Sequence, residues 1–358
     1  MRGLRLYLAP FAPDTSGAAS LLFPMHGLMI ILDAGGCAGN ICAFDEPRWQ
    51  DDDIKKRRSY VFSAGLRDMD AIMGRDEKLL AKLAETAQEV QADFAAIIGT
   101  PVPSVIGTDF RSLRRLAERQ IGMPVVTVET DGTKFYDEGI SKALSSLFNT
   151  LSDDAPTSSV CPDNGAIGLV GVSPLDVTAD DLGKIKAALH SEGWRRIICY
   201  GTDEGVAGIK AAAAVTKNLA LTAAGIQTAK FLREKFGTPY AVFSPPRLDD
   251  ILATNGVELS LTRQKILIMH EEVTMDGLRR ELRQHWPDAE IVCGGWFMRH
   301  KEYMEPQDVQ FTEEDEWQDY IRREDFACIF ADKTFCKALP FYEGAWVDLP
   351  HYAVSGSK

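Results

Sequence analysis

Basic residues are scarce in this sequence relative to acidic ones. Its 358 residues include 39 lysines and arginines against 52 aspartates and glutamates, which gives a formal charge of −13 at pH 7. The one dense basic run, residues 55–58, directly follows three aspartates at 51–53 and is largely neutralised by them. Because net negative charge repels phosphate backbones and acidic lipid surfaces, we expect neither nucleic acid nor a membrane as a partner.

Cysteines and uninterrupted apolar runs are also few. Seven cysteines are an odd and sparse set for this length, which favours reduced thiols in a cytoplasm over a disulfide framework. The longest apolar run, residues 21–32, contains Pro24, His26 and Gly27 and is shorter than the ~20 residues that cross a bilayer. We therefore expect a cytoplasmic protein with no transmembrane segment.

Several catalytic motifs are absent as well. The sequence has no G-x-x-x-x-G-K-S/T phosphate loop, no G-x-G-x-x-G after a strand, no G-x-S-x-G elbow and no H-E-x-x-H zinc pair. The missing phosphate loop indicates that the chain does not hydrolyse nucleotides by itself. Any coupling to ATP would have to come from a partner.

Short β-branched runs alternate with longer amphipathic segments, a pattern that predicts parallel sheets flanked by helices. The predicted strands are 28–32, 94–98, 124–128, 166–172, 196–200, 240–243, 265–269, 290–293 and 327–331. The predicted helices are 76–91, 109–120, 141–150, 178–190, 203–217, 223–236 and 276–285. A polar, breaker-rich stretch at 152–159 and a weaker one at 245–262 divide the chain into three α/β domains, 1–155, 156–255 and 256–358.

The loop after the first strong strand carries the most chemical signal. It contains Gly35, Gly36 and Cys37, followed by Cys42. Paired glycines beside a cysteine let the backbone approach a bulky ligand and point amides at bridging sulfides, as an iron-sulfur cluster requires. The alternative is that the glycines form a tight strand-to-helix turn and Cys37 is a small buried hydrophobic residue.

This loop and its surroundings resemble a known family. The residues that carry the resemblance are 13–18, 33–37, 45–49, 99–109, 218–221, 237–240, 265–273 and 349–355, in this order. Together they resemble the nitrogenase component 1 superfamily, of the molybdenum-iron protein type, and most closely its short nitrogenase-like members from anaerobes. The resemblance covers essentially the whole chain.

The resemblance implies three Rossmann-like α/β domains, a homodimer or heterodimer, and a metal cluster near the subunit interface. It also implies electrons delivered by a separate ATP-dependent iron protein. Of the three places that supply cluster thiolates in the family, only Cys37 is retained. The first falls at Ala18 or Ala19 and the third at Thr100, and the family's cofactor-binding cysteine in the middle domain falls near Leu221.

Two arrangements would still hold a 4Fe–4S cluster. In one, Cys37 and Cys42 of two symmetry-related chains supply four thiolates, and in the other a different chain supplies the missing ligands. Alternatively, if the segment after Gly39 is helical, Cys42 simply faces the protein core.

Two further sets of residues are candidates for function. Asp45, Glu46, Arg48 and Trp49 combine charge with an aromatic ring beside the cysteine loop, which suits partner docking or simply a solvated face. His351 follows the last predicted domain's strands and is a candidate proton donor, with packing or capping as the alternative.

The expected function is that of a nitrogenase-like reductase subunit, accepting electrons through an iron-sulfur cluster and acting on a small molecule. Tetrapyrroles, sulfur compounds and small unsaturated molecules all have precedent in the family, and the sequence does not choose among them. Two alternatives stay open: a non-catalytic scaffold for assembling a metal cluster, and a metal-free ligand-binding module.

Overall fold

The computed structural model describes residues 6–9, 11–45, 59–67, 76–152, 163–202, 204–245 and 247–355. These residues form three parallel sheets flanked by helices, as predicted from the sequence. Their contacts divide the chain into two compact units, one comprising Ala12–Ala220 with Ala224–Ala241 and the other Met1–Phe11, Leu221–Ala223 and Val242–Lys358. The domain boundaries at 155 and 255 stay predictions.

The first sheet has the strand order β2-β1-β3-β4. Its strands are β1 (Gly27–Ile31), β2 (Tyr60–Ser63), β3 (Phe94–Ile98) and β4 (Val125–Val128). The helices along this part of the chain are α1 (Asp14–Leu22), α2 (Gly36–Asp45), α3 (Asp76–Glu89), α4 (Pro101–Ile106), α5 (Phe110–Ile121) and α6 (Tyr136–Leu151). Every residue of β1 and β3 is buried, as expected for central strands covered on both faces.

The second sheet has the order β6-β5-β7-β8. Its strands are β5 (Asp163–Val170), β6 (Arg196–Cys199), β7 (Val215–Ala220) and β8 (Tyr240–Val242), and its helices are α7 (Ala179–Ser191), α8 (Val206–Lys210) and α9 (Ala223–Phe236). The predicted helix over 203–217 is wrong at its end, because the chain enters β7 at Val215. Pairing with β5 overrides the helix preference of the preceding alanines.

The third sheet has five strands in the order β11-β10-β9-β12-β13. They are β9 (Lys265–Met269), β10 (Glu290–Gly295), β11 (Val309–Gln310), β12 (Phe326–Ala331) and β13 (Ala345–Asp348). The accompanying helices are α10 (Leu248–Asn255), α11 (Glu272–His285), α12 (Glu314–Arg323) and α13 (Tyr352–Ser355). Within the described residues, no helix has both the length and the apolar character needed to span a bilayer.

Helices α1 and α6 cross at two glycines. A Cβ atom on Gly17 would overlap the Tyr136 carbonyl, and one on Gly139 would overlap the Asp14 carbonyl. All nine residues of α1 are buried, including the carboxylate of Asp14, which accepts hydrogen bonds from the backbone N–H groups of Asp131 and Gly132. This contact fixes α1 in the unit that carries the cysteine loop.

Candidate functional site

The cysteine loop lies at the carboxyl end of β1, where ligands of parallel sheets usually bind. The chain leaves β1 at Ile31, passes Leu32 and Asp33, and begins α2 at Gly36. Gly35 has φ = +115°, a backbone conformation that side chains disfavour, so the turn into α2 requires glycine there. The tight strand-to-helix turn, one part of the alternative interpretation of this loop, is therefore present at Gly35.

Asp33 holds the loop in place. Its side chain is buried, with one carboxylate oxygen accepting the Ala38 N–H at 2.8 Å and the other accepting the Ser63 hydroxyl at 2.6 Å. The first bond satisfies a backbone donor in the first turn of α2, and the second ties that turn to the end of β2. The start of α2 is thus fixed against two neighbouring strands.

Cys37 lies in the first turn of α2 and is half-buried. Burial raises the pKa of its thiol, and the nearby Asp33 carboxylate raises it further. The free thiol is consequently not activated as a nucleophile by its surroundings. A cationic partner such as a metal would be needed to hold it as a thiolate.

Gly36 and Gly39 do not owe their identity to internal packing. A Cβ atom placed on either one would meet no other atom of the described residues within 4 Å, and both residues are exposed. Among the residues that the structure describes, nothing covers the surface beside Gly36 and Gly39. It has room for a bulky ligand or for the backbone of a second chain.

Cys42 lies on the same helix, five residues after Cys37. At 100° per residue, its position is about 140° further round the helix axis than that of Cys37. A ligand shell that used both positions of one chain would have to reach two sides of α2. The pairing of Cys37 with Cys42 stays a prediction.

The positions that match the family's other two thiolates are also near this loop. Ala18 and Ala19 are fully buried in α1, which packs against α2. Thr100 is fully buried at the start of α4, and its hydroxyl donates to the Leu32 carbonyl at 2.8 Å. The loop and Thr100 are therefore assembled at one place, but neither alanine nor threonine offers sulfur.

The described residues of one chain do not complete a cluster site. They contain no group of three or more histidine, cysteine, aspartate or glutamate side chains that could hold a metal ion. One chain thus supplies Cys37 and, on the sequence prediction, Cys42. A 4Fe–4S cluster at this loop does not fit the described residues of a single chain and would need ligands from a second one.

Only part of the predicted docking segment lies within the described residues. Asp45 is the last residue of α2, whereas Glu46, Arg48 and Trp49 lie outside them. The proposal that these four residues bind a partner stays a prediction.

Another surface on the same sheet was not predicted from the sequence. Arg111, Arg115 and Arg119 are exposed on α5 and recur every four residues, so they form a stripe about 12 Å long. Leu116 beside them is 45% exposed, and Val105 on the preceding helix α4 is 86% exposed. In a chain with a formal charge of −13, this basic stripe is unusual, and the i, i+4, i+8 spacing of the arginines was its signal in the sequence.

His351 belongs to the other unit and follows β13. It is buried, and its backbone N–H donates to Asp332 at 3.0 Å. Its ring stacks on that of His270, which follows β9, with the centroids 4.1 Å apart. His270 was not singled out from the sequence, because nothing in the sequence indicates which residues lie beside His351.

Comparisons with known proteins agree with this architecture. The family model described as nitrogenase component 1 type oxidoreductase matches residues 14–247, well over half of the chain. The solved structure of nitrogenase Cp1 at pH 6.5 superimposes with a TM-score of 0.72 at 14% identity, covering 98% of this chain and 87% of that one. The same protein at pH 5 gives 0.72 at 13% identity, with 98% and 85% coverage. The curated proteins gave no match.

Proposed function

We propose that this chain, which belongs to the family of nitrogenase component 1 type oxidoreductases, is the electron-accepting or catalytic subunit of a low-potential reductase. In this proposal its electrons come from a separate ATP-dependent iron protein. The absence of a phosphate-binding loop supports a division of labour in which the partner hydrolyses ATP.

The observation that carries the proposal is the setting of Cys37. The thiol lies at the start of a helix anchored by Asp33, beside the open surface at Gly36 and Gly39. We propose that Cys37 is a ligand of an iron-sulfur cluster shared between two chains, with Cys42 or a different chain completing the ligands. Such a cluster would store electrons at low potential, while this chain's residues bind it and anchor its loop.

Sharing a cluster implies an obligate dimer, whether homodimer or heterodimer, with the loops of two chains facing each other. Light scattering of anaerobically purified protein, combined with iron and acid-labile sulfide analysis, tests this directly. We expect iron and sulfide only in the dimeric fraction. A monomer that carried a complete cluster would contradict the shared site.

Replacing Cys37 distinguishes a cluster ligand from a small buried hydrophobic residue. Cys37→Ser exchanges a soft thiolate for a poor iron ligand, so iron, sulfide and visible absorption should be lost while circular dichroism is kept. Cys336→Ser is the matched control, because Cys336 is exposed in the other unit and has no proposed ligand role. Equal iron content in Cys37→Ser, Cys336→Ser and the wild type would make Cys37 an ordinary side chain.

Electron acceptance is tested without knowing the substrate. Bleaching of the visible absorption by an ATP-dependent iron protein, and only when ATP is present, would be the expected result. Two surfaces are candidates for docking: residues 45–49, and the α5 stripe of Arg111, Arg115 and Arg119, which suits a partner with an acidic face.

Charge reversal distinguishes the two surfaces. Arg48→Glu and Arg115→Glu should each be compared at low salt with Arg280→Glu, a control on the exposed face of α11. The variant that slows bleaching identifies the docking surface, since reversing a charge at an interface mainly lowers the association rate. If neither variant differed from the control, both docking surfaces would be wrong.

His351 is the candidate proton donor in this proposal, because reduction of an organic or sulfur substrate consumes protons together with electrons. Its backbone is held by Asp332 and its ring by neighbouring rings, so it has a defined orientation. The substrate is a small molecule, with tetrapyrroles, sulfur compounds and small unsaturated molecules as the candidate classes.

A scaffold function is the second candidate, favoured by the incomplete ligand set in the described residues of one chain. A cluster held by few thiolates is easier to hand on to another protein. Iron that moves to an apo-acceptor protein, without ATP-dependent bleaching, would support the scaffold. Protein that contains no iron after anaerobic purification would instead support a metal-free binding module.

A further inference from the structure

The ring of His351 is enclosed by two other rings. His270 stacks on it with centroids 4.1 Å apart and planes 20° from parallel, and Phe297 stacks at 5.9 Å and 30°. These residues come from different strands of the five-stranded sheet. His270 follows β9, Phe297 follows β10 and His351 follows β13, so all three lie at the carboxyl edge of that sheet.

His270 also contacts the backbone just before His351. Its Nε2 atom is 3.3 Å from the carbonyl oxygen of Pro350. Because a carbonyl only accepts hydrogen bonds, Nε2 must carry the hydrogen, and in the neutral ring that burial favours this leaves Nδ1 unprotonated. Within the described residues, Nδ1 is buried and has no hydrogen-bond partner.

A histidine at position 270 costs free energy of folding because it buries an unpaired nitrogen, and its presence therefore points to a role for its N–H group. A phenylalanine at 270 would preserve the ring stack without burying an unpaired nitrogen. What a histidine adds to the stack is the N–H group directed at Pro350. The ring thus holds His351 in two ways, through the face of its imidazole and through the peptide group that precedes it.

The charged and titratable groups around His270 keep it neutral. Burial lowers the pKa of His270 well below its usual value, and His351 and Arg247 lower it further, against the opposing effect of the Pro350 carbonyl. Asp332, after β12, binds the backbone of His351. Glu271, the next residue on the chain, is engaged by the N–H groups of Val273 and Thr274 at the start of α11.

We infer that His270 is a positioning residue for His351, fixing its ring plane and the preceding backbone so that the proposed proton donor keeps one orientation. This inference rests on the proposed function, in which His351 donates the proton. His270 itself does not touch the substrate in this scheme. It follows β9, the central strand of the five, and so lies at the centre of the sheet edge where such folds bind their ligands.

The test observes His351 directly, in the whole anaerobically purified protein labelled with ¹⁵N-histidine. Two variants separate the two contacts: His270→Phe keeps a stacked ring and loses the donor, and His270→Gln keeps a donor and loses the ring. His285→Gln is the control, because His285 is exposed on α11. Circular dichroism verifies that each variant is folded.

In the wild type we expect one set of His351 ring signals with strong nuclear Overhauser contacts to the Phe297 ring. His270→Phe and His270→Gln should each weaken those contacts at least about twofold and broaden the ring signals, because each variant removes one of the two contacts that fix the ring. His285→Gln should leave them unchanged. His351 signals that were identical in all four proteins would overturn the positioning role.

Failure of the proposed function would look different. Iron analysis and ATP-dependent bleaching of the same wild-type preparation report on electron acceptance, and they do not depend on His270. If the His270 variants altered the His351 signals but the wild-type protein contained no iron, the positioning contact would be supported and the reductase function refuted. Unaltered signals in protein that accepts electrons would refute the positioning role alone.

Discussion

The Thr100 hydroxyl donates a hydrogen bond of 2.8 Å to the carbonyl oxygen of Leu32, and both groups lie at the base of the cysteine loop. Thr100 directly precedes α4 and lies just beyond β3, and Leu32 follows β1, so this bond joins the ends of two adjacent strands. The position that carries a thiolate in the resemblance therefore carries a structural hydrogen bond here.

Removing that hydroxyl should weaken the loop. Thr100→Val keeps the shape and leaves the buried Leu32 carbonyl without this donor, at an expected cost of about 1 to 3 kcal/mol in the free energy of unfolding. Thr100→Ser keeps the donor and is the control for the lost methyl group. Urea unfolding of the two variants measures the difference, and equal stabilities would show that the bond contributes nothing.

Part of this arrangement could be predicted from the sequence. The alternating pattern gives the buried strands β1, β3 and β9 within one residue at each end, because their apolar runs are bounded by breakers. Strand β2 was missed, since Tyr60–Ser63 form a short edge strand with mostly exposed side chains and an apolar run of only three residues. The helix predicted over 203–217 was wrong where strand pairing overrode local preference.

The candidate site also has a part that the sequence predicted and a part that it did not. Glycine and cysteine spacing indicated the Cys37 loop, because the turn chemistry is local. The stack of His270 on His351 was not predictable, because it depends on β9, β12 and β13 being neighbours in that order. Sequence separation of about 80 residues hides this contact from any local pattern.

The crossing of α1 and α6 should tolerate no added methyl group. In Gly139→Ala, the new Cβ would overlap the backbone carbonyl of Asp14, which cannot move without shifting α1. We expect a loss of about 3 kcal/mol or more. Gly183→Ala on α7 is the matched control, because a Cβ there meets nothing within 4 Å. That control should gain roughly 0.5 to 1 kcal/mol, and similar losses in both variants would contradict the packing argument.

Two buried tyrosines should respond oppositely to loss of the hydroxyl. Tyr200 packs edge-on against Phe148, and its buried hydroxyl has no hydrogen-bond partner within the described residues. Tyr200→Phe should therefore be neutral or stabilising, by up to about 1 kcal/mol. Tyr136→Phe should lose about 1 to 3 kcal/mol, because it removes the 2.5 Å bond to the Asp176 carboxylate. Thermal unfolding compares the pair, and a destabilised Tyr200→Phe would show that its hydroxyl is engaged.

Asp137, in the first turn of α6, should make stability fall as the pH rises. Its pKa is raised from 3.8 to about 7, mainly by burial and further by the Glu138 and Asp176 charges, against the backbone N–H groups of Glu138 and Asp137. Between pH 3.8 and about pH 7, the folded state therefore binds the proton of Asp137 more tightly than the unfolded state does. The contribution of Asp137 to the free energy of unfolding is therefore largest below about pH 4 and is lost by about pH 7.

Asp137→Asn removes this titration and keeps the size of the side chain. Relative to the wild type, the variant should gain roughly 2 to 4 kcal/mol on going from pH 4 to pH 8, because only the wild type loses this contribution as the pH rises. Asp180→Asn is the control, because Asp180 occupies the first turn of α7 with 79% of its side chain exposed. It should lose only the small helix-terminus contribution and the exposed ion pair with Lys184. Urea unfolding from pH 4 to pH 8 measures both variants, and a difference between Asp137→Asn and wild type that stayed constant with pH would show that Asp137 does not titrate in this range.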